Sequence, residues 1–508
     1  MAQDSGHVAE AAPGEAQAGL LMRLLKHFSN YSFGSFFVTV ASLISFPILT
    51  RIFSVSEYGV LALVNSTLGF LVGCGKFGVQ FSIVRFYAEV ETGQRASSKV
   101  EFFTTVLISM SAIGAVISAV AMLAFSLTPA AWWKGTGTQY LIAAAAPLVL
   151  IRTVDSGVLN LLRAQHLSRF YSMYTAVRRY LGLGFVLGVV LLVQRSLLAF
   201  YAATIVAEGA ALLYGVRIFL RQGMFRWRAF SMPLLRAMLD FGMPLFASNV
   251  VGLLLGVAGR YLINFMLGSE PLGVYSAAAN LADYMVGMFA LSFAIAVEPM
   301  YFRQWEQQGP QKTREFLAQA LKYYLLLACP ILAGMAAVGP ELIRLLASSK
   351  YDVSRTLVVF QVAGLLVSGG FPIFCAGVNV KKMTKVVLYS TVASSVTSIV
   401  VTAWTLPYWG IEGAAFAVLV SSLQYSITTA YYGRKVLAVP VPLGAWLRFA
   451  LASGAMYEII RHVTMANAAL QLVARLLLGF VAYTVMVLAL DRELRGTLRG
   501  AWGKLRRA

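Results

Sequence analysis

The stretch Thr50–Val60, TRIFSVSEYGV, ends one long apolar run of the sequence and begins the next. It combines an arginine at the end of an apolar run, a short segment with a glutamate, and a Gly-Val step. The stretch Gly259–Ala278, GRYLINFMLGSEPLGVYSAA, contains the same features in the same order. A pattern that recurs in this way at two membrane edges indicates an internal repeat.

The surrounding chain has the composition of a membrane protein. It has 508 residues, of which 59% are hydrophobic and 12% are charged. A water-facing surface needs more charge than this. Apolar runs recur along the whole length, and a run of roughly 20 residues can cross a bilayer as a helix. We therefore predict an all-α polytopic membrane protein with about 14 transmembrane helices.

The sequence lacks the motifs of soluble enzymes and of metal sites. Its three cysteines lie inside apolar runs without metal-ligand or disulfide spacing, and its four histidines are scattered. Walker, HExxH and GxSxG patterns do not occur. We therefore expect neither enzymatic activity nor a bound cofactor.

The basic residues indicate how the helices are oriented. If the N-terminus is cytoplasmic, the connections on that side and the C-terminal tail hold about thirty of the 41 lysines and arginines, as the positive-inside rule requires. We therefore predict that both termini are cytoplasmic. The net charge of +20 then reflects topology and contact with anionic lipids, and it gives no reason to expect nucleic acid as a partner.

Three features of the two quoted stretches can be matched at an offset of about 210 residues. The matched pairs are Arg51 with Arg260, Glu57 with Glu270, and Gly59-Val60 with Gly273-Val274. The offset corresponds to six predicted spans, and an even number gives both copies the same orientation. The pattern predicts two six-helix lobes related by a parallel pseudo-two-fold repeat, plus two C-terminal helices. Such paired bundles are typical of transporters that alternate access to a central site.

This organisation divides the chain into five predicted segments. They are a flexible cytoplasmic tail at 1–29, an N-terminal lobe of six helices at 30–220, a C-terminal lobe of six helices at 221–435, two further helices at 436–490, and a basic cytoplasmic tail at 491–508.

Several charged residues lie within or at the ends of the apolar runs: Arg51, Lys76, Arg152, Asp155, Glu208, Arg260 and Asp283. A charge at the bilayer centre costs at least about 2.5 kcal/mol on insertion scales. Such residues normally pair with one another or face a water-filled cavity. Two simple interpretations stay open, because Arg152 and Asp155 could pair along one helix and the two repeat arginines could extend to the membrane surface.

The alternative interpretation is functional. Arginine binds phosphate bidentately and stays charged when partly buried, so a cavity lined by basic residues would suit an anion. The candidates for substrate binding are Arg51, Arg260, Lys76 and Arg152. The candidates for coupling to a proton or sodium gradient are Asp155, Glu208 and Asp283, since acidic residues within spans often act as relays.

Three phrases of the sequence resemble the Wzx-type polysaccharide flippases of the multidrug/oligosaccharidyl-lipid/polysaccharide superfamily. They are SFGSFFVTVASLISFPILTRIFSVSEYGV at 32–60, LINFMLGSEPLGVYSAAANLAD at 262–283 and GIEGAAFAVLV at 410–420. The resemblance covers roughly the first twelve spans, and the phrases occur in the order expected for the family.

The resemblance implies two six-helix lobes around a cationic cavity. Members of the family it points to move lipid-linked sugars, usually on undecaprenyl diphosphate, across the bacterial inner membrane for surface polysaccharide synthesis. Arg51 and Arg260 fall on the family's recurrent arginine positions, which implies contact with the anionic headgroup. The two C-terminal spans resemble those of the fourteen-helix members, where a hydrophobic groove accepts the lipid tail. Membrane lipids and the polymerase or glycosyltransferase machinery are the other implied partners.

Three other functions compete with this one. A small-molecule antiporter of the same superfamily would need an acidic cavity, whereas intramembrane basic residues here at least equal acidic ones. A membrane-bound polymerase or ligase would carry a large external loop rich in arginine and histidine, which this sequence lacks. A non-flipping subunit of an exopolysaccharide synthase or export complex stays open, because such a subunit can share the fold.

Overall fold

The computed structural model describes residues 39–133, 136–491 and 494–495, and these residues form helices and connections without a strand. The predicted N-terminal tail and most of the predicted C-terminal tail lie outside these ranges. Nine helices in the described part of the chain are long and apolar enough to cross a membrane, judged by length and composition. A helix satisfies its own backbone hydrogen bonds, which a segment in lipid must do. The prediction of an all-α polytopic membrane protein is confirmed.

The helices are labelled in chain order. They are α1 (Thr39–Ile52), α2 (Val55–Gly75), α3 (Val79–Glu91), α4 (Lys99–Leu127), α5 (Thr138–Ala145), α6 (Pro147–Ala164), α7 (Ser168–Leu192), α8 (Leu197–Arg221), α9 (Met232–Met266), α10 (Ser269–Ala282), α11 (Met288–Leu346), α12 (Arg355–Gly369), α13 (Phe371–Phe374), α14 (Ala376–Val380), α15 (Thr384–Gly433), α16 (Leu443–Arg461) and α17 (Ala468–Leu490).

Some predicted spans are broken and some neighbouring spans are joined. Gly309 (φ 78°) interrupts α11 and Gly410 (φ 58°) interrupts α15, and glycine adopts such positive φ values without steric cost. Each of these long helices therefore comprises two helical segments. Conversely, α5 with α6 corresponds to one predicted span, and α3 lies in a segment that the sequence predicts to be a cytoplasmic connection. Counted in this way, the described helices follow the order of the fourteen predicted spans.

Residue contacts divide the chain into two compact units. The N-terminal unit comprises Leu71–Ala124, Ala143–Phe246 and the residues up to Ser45; the C-terminal unit comprises Phe46–Phe70, Phe125–Ile142 and the residues from Ala247 onward. These units differ from the lobes at 30–220 and 221–435, whose boundary stays a prediction. The C-terminal unit contains both copies of the repeated stretch.

The core of the N-terminal unit is built from aromatic and branched side chains. Phe102, Phe103 and Ile83 are fully buried and pack with residues of α6, α8 and α9. The backbone of α9 approaches the start of α3 so closely that a Cβ on Gly242 would overlap the Gly78 carbonyl. Glycine at this position therefore permits the close packing of α3 against α9.

The last two helices pack against the second half of α11. Buried Phe449 of α16 and Val487 of α17 belong to one apolar cluster with Val338 of α11. A buried arginine, Arg475 of α17, also pairs with Glu341 of α11 at 2.6 Å. The C-terminal helices are therefore an integral part of the C-terminal unit.

Candidate functional site

The opening stretch of the sequence begins α2 with a reciprocal cap. The Ser54 N–H donates to Glu57 Oε2 at 2.8 Å, and the Glu57 N–H donates to Ser54 Oγ at 3.2 Å. This is a capping box, which satisfies backbone donors that the first turn of a helix leaves free. Glu57 therefore has a structural task, and the Ser-x-x-Glu spacing in the sequence is its signal.

The two copies of the repeat touch one another in the C-terminal unit. A Cβ on Gly59 would overlap the Ser269 carbonyl oxygen, and a Cβ on Gly273 would overlap the Val55 carbonyl oxygen. Val55 and Ser269 each lie four residues before the glycine of their own copy. The contact is thus reciprocal, as a pseudo-two-fold axis between α2 and α10 would produce. The glycines matched in the sequence serve to bring the two helices together.

Arg51 lies at the end of α1 and contacts the end of α11. Its exposed side chain donates from Nη2 to the Leu345 carbonyl at 2.9 Å, and Lys350 Nζ lies 3.4 Å from the Arg51 carbonyl. The last carbonyls of a helix lack partners within the helix and carry partial negative charge. Arg51 therefore stabilises the C-terminus of α11 and keeps an exposed guanidinium.

The connection between α11 and α12 contains a buried tyrosine, Tyr351. The ring of Tyr351 meets that of Tyr58 edge to face, with centroids 5.9 Å apart. Within the described residues the Tyr351 hydroxyl is buried without a hydrogen-bond partner. Burial raises the pKa of the Tyr351 phenol, and the nearby Glu57 carboxylate adds to the increase. This tyrosine therefore stays neutral.

Arg260 lies in α9 and reaches α2. Its Nη1 donates to Ser66 Oγ at 2.8 Å, and the adjacent Tyr261 hydroxyl lies 2.7 Å from Thr67 Oγ1. Among the described residues its Nε is buried without a hydrogen-bond partner. A buried N–H donor without a partner is costly and rare. The guanidinium therefore keeps a donor that an acceptor from a bound molecule could satisfy.

Asp283 shares the electrostatic environment of Arg260. Its side chain is exposed, and the two charges interact with each other and with the Tyr275 phenol. Asp283 is the first residue of a π-helical turn, Asp283–Gly287, that follows α10. Such turns are rare and are frequently found at functional sites. The C-terminal unit therefore holds an arginine, a carboxylate and an irregular helix turn together.

The other two basic candidates lie in the N-terminal unit. Arg152 forms a bidentate ion pair with Glu208 of α8, with Nε–Oε2 and Nη2–Oε1 distances of 2.8 and 2.9 Å. The local pairing of Arg152 with Asp155 that the sequence left open is therefore not formed. Side-chain geometry explains the difference, since Glu208 offers both of its oxygens to one guanidinium fork.

Asp155 instead pairs across to α7. It accepts hydrogen bonds from Arg178 and from the Tyr174 hydroxyl, the latter at 2.9 Å. Lys76, in the turn between α2 and α3, is half-buried and interacts electrostatically with the same carboxylate. Arg178 was not among the candidates from the sequence, because nothing in the sequence indicates that it meets Asp155. It lies in α7, which begins at Ser168.

Each candidate acid thus has a basic neighbour. In the N-terminal unit both carboxylates are held in ion pairs, whereas in the C-terminal unit Asp283 is exposed beside Arg260. No cluster of metal-ligating side chains occurs within the part of the chain that the structure describes. The arrangement suits recognition of an anion better than catalysis. Among the charged candidates, the buried group left without a hydrogen-bond partner within the described residues is Arg260 Nε, a donor on a cationic side chain.

Comparisons with known proteins show which family and which solved structures the chain resembles. A family model described as "Polysaccharide biosynthesis protein" matches residues 48–356. No curated protein sequence matches the chain. The solved structure of the lipid II flippase MurJ in an inward closed conformation is similar, with a TM-score of 0.76 and 14% identity. That alignment covers 91% of this chain and 99% of MurJ.

Two transporters of other types share the fold at lower similarity. An inward-facing multidrug resistance MATE family transporter of the MOP superfamily has a TM-score of 0.60 at 14% identity, with 78% of this chain and 94% of that chain covered. A MOP superfamily transporter from Pyrococcus furiosus has a TM-score of 0.54 at 14% identity, with 81% and 95% covered. At these identities the similarity establishes the fold. The predicted fold, that of the multidrug/oligosaccharidyl-lipid/polysaccharide superfamily, is therefore confirmed.

Proposed function

The chain belongs to the polysaccharide biosynthesis protein family, and from this premise we propose that it is a flippase for a lipid-linked glycan. It would move a sugar or oligosaccharide on undecaprenyl diphosphate across the bacterial inner membrane, for surface polysaccharide synthesis, by alternating access. The lipid II flippase MurJ has the same fold. A lipid diphosphate needs such a protein because its charged head cannot cross hydrocarbon unaided.

The observation that carries the proposal is the state of Arg260. This guanidinium is held by Ser66, yet its buried Nε has no partner among the described residues. A phosphate oxygen is a suitable acceptor, because it forms short, charge-assisted hydrogen bonds with arginine. Arg51, with an exposed guanidinium, is the second candidate for headgroup contact. Both residues belong to the family-matched segment 48–356.

The remaining candidates have supporting roles in the proposal. Arg152 is committed to Glu208, and Lys76 neighbours Asp155, so both would contribute positive charge more than direct contact. Asp283 is the acid best placed to couple transport to a proton or sodium gradient, because it is exposed beside Arg260. Both termini would face the cytoplasm, in line with the distribution of lysine and arginine.

Deletion of the gene in its host tests the proposal. We expect lipid-linked intermediates to accumulate in the cytoplasmic leaflet, as measured by mass spectrometry and by protection from an external glycosidase. Wild-type protein should restore surface polysaccharide, whereas Arg260→Gln should insert normally and restore less than a tenth. Arg303→Gln is the matched control, because Arg303 is exposed and its side chain hydrogen-bonds to Gln307 of the same helix.

Other outcomes would contradict the proposal. Loss of polymer without any accumulated intermediate would favour a non-flipping subunit of a synthase complex. Normal polymer with a changed tolerance to toxic cations would favour a small-molecule antiporter.

A further inference from the structure

The C-terminal unit contains a long apolar groove that is lined by neither Arg51 nor Arg260. It has a volume of about 680 Å³ and lies between the second segment of α11, α12, the end of α15 and the start of α16. Its lining includes Leu321, Ala328, Ile427 and Trp446. We call it the α11–α15 groove. Its size falls within the range of ordinary ligand sites.

A second, more polar cavity adjoins one end of this groove. It has a volume of about 670 Å³ and is lined by Gln311, Arg314 and Pro440, among others. The two cavities share Arg434, Leu437 and Ala438 in their walls. We call the second cavity the basic mouth. An apolar space therefore lies next to a space with two arginines.

The order of residues along the helices fixes which end of the groove is charged. Arg314 lies just after Gly309, where the second segment of α11 begins, and Arg434 directly follows α15. From this end the groove extends along α11 from Leu321 to Leu332. At 1.5 Å per residue this stretch is about 16 Å long, which is about half the hydrocarbon thickness of a bilayer.

The two arginines of the basic mouth lack acidic partners within the described residues. The guanidinium of Arg434 stacks on the Tyr431 ring, 4.1 Å from its centroid. Glu315 also lines the basic mouth, and it forms an ion pair with Lys312 at 2.8 Å. Tyr431 and Trp446 at the groove are 51% and 43% exposed, as is usual for aromatic residues near a membrane surface. The mouth therefore carries uncompensated positive charge beside apolar surface.

We propose that the α11–α15 groove binds one anionic phospholipid of the membrane, with an acyl chain in the groove and the phosphate at Arg314 and Arg434. Charge complementarity argues for this occupant, since basic pockets at the ends of transmembrane helices bind anionic lipid headgroups. The apolar groove supplies the complementary surface for the chain. Neither Arg51 nor Arg260 lines either cavity, so the site does not depend on the proposed transport function.

The binding of defined lipids to the purified full-length protein tests this proposal. Native mass spectrometry would count bound dioleoyl phosphatidylglycerol and dioleoyl phosphatidylcholine over a titration of each. We expect one tightly bound phosphatidylglycerol, and affinity at least fivefold lower in Arg314→Gln and in Arg434→Gln. Ala430→Trp should also weaken binding, because Ala430 lines the groove and the indole would fill it.

Matched variants control for nonspecific effects. Arg303→Gln removes an exposed arginine of α11, and Ala393→Trp adds an indole at an exposed position of α15; both should bind phosphatidylglycerol within twofold of wild type. The folding of each variant is first checked by size-exclusion chromatography. If Ala430→Trp does not fold, the two arginine variants alone test the proposal. Equal affinity for phosphatidylcholine, or unchanged affinity in both arginine variants, would overturn the proposal. Displacement of phosphatidylglycerol by equimolar undecaprenyl phosphate would overturn it as well, because it would assign the groove to a polyprenyl lipid.

Discussion

Ser56 Oγ lies 2.6 Å from Ser269 Oγ, which joins the first turns of α2 and α10. The same two turns make the reciprocal contacts of Gly59 and Gly273. Because these glycine contacts occur at the same positions of both copies, they lie at the local symmetry axis of the repeat. The repeated sequence therefore encodes a helix–helix contact in addition to a pair of arginines.

This contact predicts an efficient disulfide. In a background with the three natural cysteines replaced by alanine, Ser56→Cys with Ser269→Cys should cross-link under mild oxidation, since disulfide sulfurs must come within about 2 Å of one another. If α2 and α10 must separate during transport, the oxidised protein should lose surface polysaccharide synthesis and regain it after reduction. Gel mobility after proteolysis between the two sites measures the cross-link. The single-cysteine variants are the controls, and absence of a cross-link in the double variant would contradict the contact.

The capping box at α2 predicts a modest and specific loss of stability. Ser54→Ala removes the side-chain acceptor of the Glu57 N–H and should cost about 1 kcal/mol of unfolding free energy. Glu57→Gln should be nearly neutral, because an amide oxygen can also accept from the Ser54 N–H. Thermal unfolding of the purified variants provides the comparison. A large loss of transport in Glu57→Gln at normal stability would instead show that the carboxylate charge is needed.

The pairing of Arg152 with Glu208 predicts that the two residues depend on each other. Arg152→Ala leaves a half-buried carboxylate without its partner and should destabilise the protein by about 3 kcal/mol. The exchange Arg152→Glu with Glu208→Arg should recover most of this loss. Thermal stability in detergent measures the recovery, and surface polysaccharide measures function in the same variants. An exchanged protein as unstable as Arg152→Ala would show that the environment, more than the pair, determines stability.

The sequence predicted the features that depend on hydrophobic length and on repetition. Fourteen spans follow from apolar runs because a bilayer dictates their length, and Gly59 could be matched with Gly273 because both copies preserve the contact. The partners of intramembrane charges could not be predicted in the same way. Arg152 and Glu208 are 56 residues apart, and only tertiary packing shows that they meet.

Arg178 illustrates the same limit. The positive-inside rule considers the charge of a loop, so it cannot detect that an arginine near a basic run has an acidic partner on another helix. Asp155 on another helix offers that partner, so the cost of placing the arginine inside α7 is offset by an ion pair. Helix boundaries defined by charge are therefore least certain where an acid lies nearby in space.

Replacement of Asp283 tests how its carboxylate affects the binding of an anion by Arg260. Under the proposed function, Asp283→Asn removes a carboxylate that competes with a phosphate for the positive charge of Arg260. Binding of undecaprenyl diphosphate should then strengthen about fivefold, the equivalent of about 1 kcal/mol for a charge interaction open to water. Lipid nanodiscs and a fluorescent derivative of the lipid provide the measurement, and the gain should diminish at high salt. Asp240→Asn, a change at an exposed carboxylate of α9, should leave binding unchanged. Weaker binding in Asp283→Asn would contradict the competition and would indicate that the carboxylate positions the guanidinium for its ligand.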